Sequence, residues 1–151
     1  VRYGGRRCSC GNLGCAEAEA STASLQQLVE GSPEWGRSSL RSAAALDYSQ
    51  IFVHAAAGDP CAASLRDHSL LVWGTLAVNL IHAYDPEILV LGGGIMASSG
   101  VVLPAVADHV NRYAHTPWGK VRVVPSDLGD QAALVAGEWL LRERPGVLHA
   151  S

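Results

Sequence analysis

Apolar positions recur along the chain in two rhythms, and each predicts a different kind of element. In residues 17–30, Ala18, Ala20, Leu25, Leu28 and Val29 give a helix an apolar face, weakened by Ser21, Thr22 and Ser24 and ended by Gly31-Ser32-Pro33. Residues 34–39 are polar and predict a loop anchored by Trp35, and the alanine-rich residues 42–57 predict a second helix. Gly58-Asp59-Pro60 stops that helix and starts the next, with Asp59 as N-cap and Pro60 at the first helical position. The helix predicted over residues 60–84 is the longest. Its second half carries Val72, Trp73, Leu76, Ala77, Leu80, Ile81 and Tyr84 on nearly all sides, a pattern that predicts burial all round. Asp85-Pro86 ends it, because the residue before a proline is pushed out of the helical region.

The second rhythm is a continuous apolar run. Ile88-Leu89-Val90-Leu91 has strand length and predicts a strand covered on both faces. Gly92-Gly93-Gly94 follows at once. Residues 102–114 predict a helix with Pro104 in its first turn, and residues 121–124 a second short strand. Leu128-Gly129-Asp130 caps a last helix over 131–142, with a frayed tail over 144–151. Trp118, in the loop entering the second strand, is expected to pack into the core. Helix, strand, glycine turn, helix, strand, helix is an α/β order that implies parallel strands joined by a crossover.

Composition narrows the function. The chain of 151 residues is 48% hydrophobic but only 17% charged, which is low for an independent domain and suits one that buries a face against further sequence or another subunit. A net charge of −3 and a pI near 6.0 argue against a nucleic-acid-binding surface. Residues 1–7 carry three arginines with no apolar run behind them, so no signal peptide is expected, and no segment has the length of a membrane span. Cytoplasmic location is the expectation.

Cys8, Cys10 and Cys15 stand in Arg-Arg-Cys-Ser-Cys-Gly-Asn-Leu-Gly-Cys-Ala-Glu. Three thiols within eight residues, with Gly11 and Gly14 free to take positive φ, can converge on one point. Zn²⁺ takes thiolates at about 2.3 Å and a closed structural site wants four ligands, so a fourth would come from elsewhere. The competing reading is three free thiols in a glycine-rich loop. Cys61, alone after Pro60, is expected to be a small buried residue, and the six histidines show no metal spacing beside the cysteines.

Cys-x-Cys-Gly-x-x-Gly-Cys-x-Glu resembles the signature of the ROK family of bacterial sugar kinases and related transcriptional repressors. Asp-Pro-Glu-Ile-Leu-Val-Leu-Gly-Gly-Gly-Ile resembles the family's nucleotide-side loop. The resemblance implies the C-terminal lobe of an actin-like, ribonuclease-H-like kinase fold carrying a zinc knuckle. It divides the chain into a knuckle and sugar-side segment, residues 1–17, and a strand with a nucleotide-side loop, residues 85–95. It further implies structural Zn²⁺ on Cys8, Cys10 and Cys15, with the histidine ligand falling before Val1, and Glu17 in contact with the sugar. Gly92, Gly93 and Gly94 would lie on the ATP side, with Mg²⁺ accompanying the nucleotide. For Glu17 the bland alternative is a surface glutamate in a helix's first turn, which is also the reading of Glu19. For the glycines it is a tight turn without a ligand.

The activity this implies is ATP-dependent phosphorylation of a hexose or amino sugar such as glucose, N-acetylglucosamine or N-acetylmannosamine. The partners would be a sugar, a nucleotide and further copies of the chain, with no membrane and no nucleic acid through this portion. The family's catalytic aspartate and phosphate loop have no match in these residues, so no catalytic residue is assigned and the chain alone is expected to be inactive. Two alternatives stand beside this: the sugar-sensing effector domain of a ROK repressor, and a non-catalytic remnant acting in assembly.

Overall fold

The computed structural model describes residues 1–143. Its elements, in chain order, are α1 (Ala16–Ala20), α2 (Leu25–Glu30), α3 (Tyr48–Ala56), α4 (Pro60–Tyr84), β1 (Ile88–Leu91), α5 (Ser99–Tyr113), β2 (Arg122–Pro125) and α6 (Ala132–Glu143), with short 3-10 turns between several of them. The mixed helix and sheet class expected from the pattern is found. β1 and β2 pair in parallel, Ile88 against Arg122 through Leu91 against Pro125, and α5 is the crossover. None of the described helices is long and apolar enough to cross a membrane.

α4 is the central element, packed against α1, α3 and α5. Asp59 caps it, accepting from the Ala62 N–H, and Asp85 closes it in the left-handed region at φ 52° while donating its N–H to the Ile81 carbonyl. Leu25, Val29, Ile51, Leu65, Ile81, Val102, Val106 and Val110 form the core between these helices. Gly74 lets α5 approach α4 closely, because a Cβ there would lie 2.6 Å from the His109 ring. Cys61 is fully buried, as expected.

Several expectations are corrected. The helix expected over 17–30 is three pieces, because Ser21 is extended and exchanges hydrogen bonds with Ser24 in a capping box: Ser24 N–H to Ser21 Oγ at 3.2 Å, Ser21 N–H to Ser24 Oγ at 3.0 Å. The helix expected over 42–57 starts only at Tyr48, where the Asp47 carboxylate accepts the Gln50 N–H at 3.0 Å. Ala44 and Ala45, before Asp47, are exposed, so burial does nothing to offset the cost of nucleating a helix there. The loop around Trp35 contains two 3-10 turns, and the Arg41 guanidinium sits 6.0 Å above the Trp35 ring.

α4 is not buried all round: Leu71, Leu80 and Tyr84 are exposed, since its packed neighbours cover only part of its girth. β1 is not covered on both faces either. Leu89 and Leu91 pack on the core while Ile88 and Val90 are exposed, the alternation of a strand with one side packed. Pro104 lies at the sixth residue of α5 instead of in its first turn, because α5 starts at Ser99, three residues earlier than expected. Trp118 is 53% exposed and does not enter the core. The tail over 144–151 lies outside the described residues.

Candidate functional site

The knuckle forms from backbone hydrogen bonds and two forced glycines. Arg7 and Leu13 make an antiparallel bridge, the Cys8 N–H donates to the Asn12 carbonyl at 2.8 Å, and the Gly11 N–H donates to the Cys8 carbonyl at 3.0 Å. Gly11 and Gly14 take φ of +90° and +71°, as a loop that folds its sulfurs together requires. At Gly14 a side chain is excluded twice over, since a Cβ would run into the Arg2 carbonyl.

The three sulfurs lie within 4.8 Å of one another, with Cys10 and Cys15 at 3.6 Å. Thiolates at about 2.3 Å from a tetrahedral ion stand about 3.8 Å apart, so this donor set fits a soft cation such as Zn²⁺. The group comprises these three cysteines, and no fourth donor joins them among the described residues. None of the four cysteines is in a disulfide. The Asn12 backbone and the neighbouring Cys8 and Cys15 thiols bring Cys10 down to about 7, while the bond to Cys10, followed by burial, pushes Cys15 up to about 11. Of this pair, Cys10 therefore gives up its proton before Cys15.

Glu17 stands in the first turn of α1, two residues beyond Cys15, with its side chain exposed. Glu19 is the surprise. Expected at the surface, it is fully buried: Arg6 donates its backbone N–H to Oε1 at 2.6 Å, and the Arg6 and Arg2 guanidiniums reach Oε2 at 3.2 and 3.4 Å. Burial alone would raise the Glu19 pKa, but the Arg6 N–H and the two guanidinium charges outweigh it and hold the carboxyl below its usual range. His68 lies beside it, with Nε2 3.0 Å from the Glu19 carbonyl oxygen and 3.5 Å from Oε2. One signal for this was present in the sequence. Residues two apart on a helix turn to opposite sides, so Glu17 and Glu19 cannot share a face.

A larger cleft, about 690 Å³, opens at the carboxyl end of β1. Gly92 and Gly94 line it, whereas Gly93 supplies a left-handed φ of +87° to the turn and does not. Trp73, Leu76, Leu80, Leu89 and Met96 give it an apolar wall, and Ser21, Thr22, Asp47 and Ser49 a polar edge. Trp73 is held firmly: its Nε1–H donates to the Ala20 carbonyl at 3.0 Å, and its ring meets Tyr48 edge-on at 4.8 Å. The Tyr48 hydroxyl in turn bonds Ser69 Oγ at 3.0 Å inside the core. An apolar slot with a few polar groups at the end of a parallel strand is the usual form of a small-ligand site in α/β proteins. Glu17 does not line this cleft, whose edge on this side is formed by Ala20, Ser21 and Thr22.

Residues 1–144 match the sequence profile of the ROK family. The chain is 31% identical to a glucokinase of Halalkalibacterium halodurans over 95% of its own length and 46% of that protein's. It is 29% identical to the DNA-binding transcriptional dual regulator NagC of Escherichia coli, over 87% of its own length and 33% of the regulator's. Among solved structures, a ROK family glucokinase from Streptomyces griseus in complex with glucose and AMPPNP superposes with a TM-score of 0.71 at 26% identity, covering 93% of this chain and 48% of the other. The chain thus spans about half the length of the glucokinases it matches. By profile, sequence and superposition alike, it belongs to the ROK family.

Proposed function

We propose that these residues form the C-terminal lobe of an actin-like, cytoplasmic ROK sugar kinase that phosphorylates a hexose or amino sugar with ATP. The observation that carries the reading is the cleft at the end of β1. It has an apolar wall suited to a nucleobase, and side-chain-free backbone at Gly92 and Gly94 where a ribose or phosphate can come close. The likeness to a glucokinase that binds glucose and AMPPNP supports it. Mg²⁺ accompanies the nucleotide.

Glu17 accepts hydrogen bonds from sugar hydroxyls, and residues 1–17 form the sugar side. Cys8, Cys10 and Cys15 hold Zn²⁺, which supplies rigidity and no chemical step. The knuckle fixes the start of α1 and with it the place of Glu17. Catalysis in this chemistry is mainly positioning and charge neutralisation, and the lobe's part is to hold both substrates in register.

Calorimetry of AMPPNP with the 151-residue chain tests the nucleotide reading. Saturable binding is expected, lost or strongly weakened in Gly93→Val, where a branched residue is strained at φ +87° while a Cβ meets no neighbour within 4 Å. Equal affinity in the variant leaves a tight turn without a ligand role.

A second reading has a specific observation in its favour: the identity to NagC, 29%, is close to that with the H. halodurans glucokinase, 31%. On this reading the same lobe is the sugar-sensing effector domain of a repressor. Sequence upstream of the lobe separates the two, a phosphate-binding loop marking a kinase and a helix-turn-helix a repressor.

A further inference from the structure

A second cavity, of about 200 Å³, opens where the first residues of the chain meet α4, lined among others by Arg2, Arg6, Ser32, Ser64, Leu65 and His68. Its fixed charge is of one sign. Both arginines line it and no carboxylate does: Glu19, the partner of both, is fully buried and forms no part of the lining, and Glu34 stands outside it, bound to the Ser32 hydroxyl.

A guanidinium carries five N–H donors in a rigid fork. Glu19 engages Nη1 of each arginine, and the side chains of Arg2 and Arg6 remain 59% and 35% exposed. Glu19 therefore fixes the two forks in place without closing their outer edges. Among the lining residues themselves the fixed charges are the two guanidiniums; Glu34, outside the lining, accepts from Ser32 Oγ at 2.8 Å. His68, held by its bond to the Glu19 carbonyl, and the Ser64 hydroxyl on α4 extend the polar wall.

We propose that this cavity binds a phosphate group, as free inorganic phosphate or as the phosphomonoester of a small metabolite. Planar forks that donate two parallel hydrogen bonds match the oxygen spacing of a phosphate. The volume holds such an anion with a few waters, at about 30 Å³ each. The inference does not depend on the sugar-kinase reading, and it assigns a role to arginines that the knuckle and the cleft leave unused.

The test is calorimetric titration of inorganic phosphate, and separately of glucose 6-phosphate, into the 151-residue chain at low ionic strength with chloride as control. Saturable binding at one site is expected. Arg2→Ala is expected to weaken it about tenfold or more, the effect of losing a hydrogen bond to a charged group. Ser64→Glu sets a carboxylate in the exposed mouth while keeping Arg2, Arg6 and Glu19 in place, and should weaken it at least as much. Glucose 6-phosphate binding clearly tighter than inorganic phosphate identifies the ester as the source; equal affinities identify the phosphate group alone. Absence of saturable binding for both ligands, or affinities unchanged in both variants, overturns the proposal.

Discussion

The backbone N–H of Arg6 donates to Glu19 Oε1 at 2.6 Å, tying the segment that leads into the cysteine knuckle to the helix that leads out of it. Glu19 is fully buried, and its carbonyl meets His68 on α4. One residue thus joins the knuckle, α1 and the central helix.

Replacing Glu19 with Ala should therefore destabilise the chain by about 2–3 kcal/mol. This lies below the cost of breaking a wholly buried pair because Arg2 and Arg6 keep contact with water. Urea unfolding followed by tryptophan fluorescence measures it. A loss under about 0.5 kcal/mol, the usual range for surface changes, would show that the buried carboxylate holds nothing together.

Zinc content and thiol reactivity are expected to move together. About one Zn²⁺ per chain is expected by elemental analysis, falling sharply in Cys10→Ser and Cys15→Ser and unchanged in Cys61→Ser, since Cys61 is buried away from the group. In the metal-free chain near neutral pH, iodoacetamide should modify Cys10 before Cys15, because the Cys10 thiol is brought down to about 7 while Cys15 is pushed up to about 11. Peptide mapping that finds Cys15 modified ahead of Cys10 contradicts this order.

Asp59 predicts an acid dependence. Burial would raise its pKa, but the N–H groups of Ala62 and Ser39 and the Ser39 and Ser38 hydroxyls outweigh it and bring the carboxyl from 3.8 to about 2. A folded value below the unfolded one means stability that is present above pH 3.8 and lost as the pH falls toward 2. Asp59→Asn keeps a capping oxygen but removes the charge, and should lower stability at neutral pH by about 1–2 kcal/mol and flatten the dependence across that window. A parallel offset at every pH would place the titration elsewhere.

The 151-residue chain should bind nucleotide yet phosphorylate nothing. Among the described residues Asp47 is the carboxylate lining the cleft, and its Oδ1 already accepts from Gln50 N–H and Ser49 Oγ–H to cap α3. The carboxylate in the cleft is thus committed to the helix cap, and no residue is assigned to take the proton of the attacking hydroxyl, so the acid-base part of the rate enhancement is missing. A coupled ADP-release assay with glucose, N-acetylglucosamine and N-acetylmannosamine checks it. Turnover that disappears in Glu17→Ala would show the lobe to be sufficient for catalysis.

Family membership, the α/β order, the Asp59-Pro60 helix start, the convergence of Cys8, Cys10 and Cys15, and the glycine turn after β1 were all legible in the sequence. Each depends on backbone stereochemistry or on groups a few residues apart, so local pattern is enough to specify it. The capping box that breaks the first helix at Ser21 was equally local, but the apolar spacing on either side hid it. What only the tertiary structure decided is of another kind. Glu19 is buried because Arg2 and Arg6 fold back over it and His68, forty-nine residues away, packs against both its carbonyl and its carboxylate. Val90 and Leu80 are apolar by sequence yet exposed, and the polar Glu19 is inside. Hydrophobicity sets the average tendency to burial. The place of a given side chain is set by which distant surfaces meet, and a charged group goes inside where its hydrogen bonds and opposite charges are assembled by that meeting.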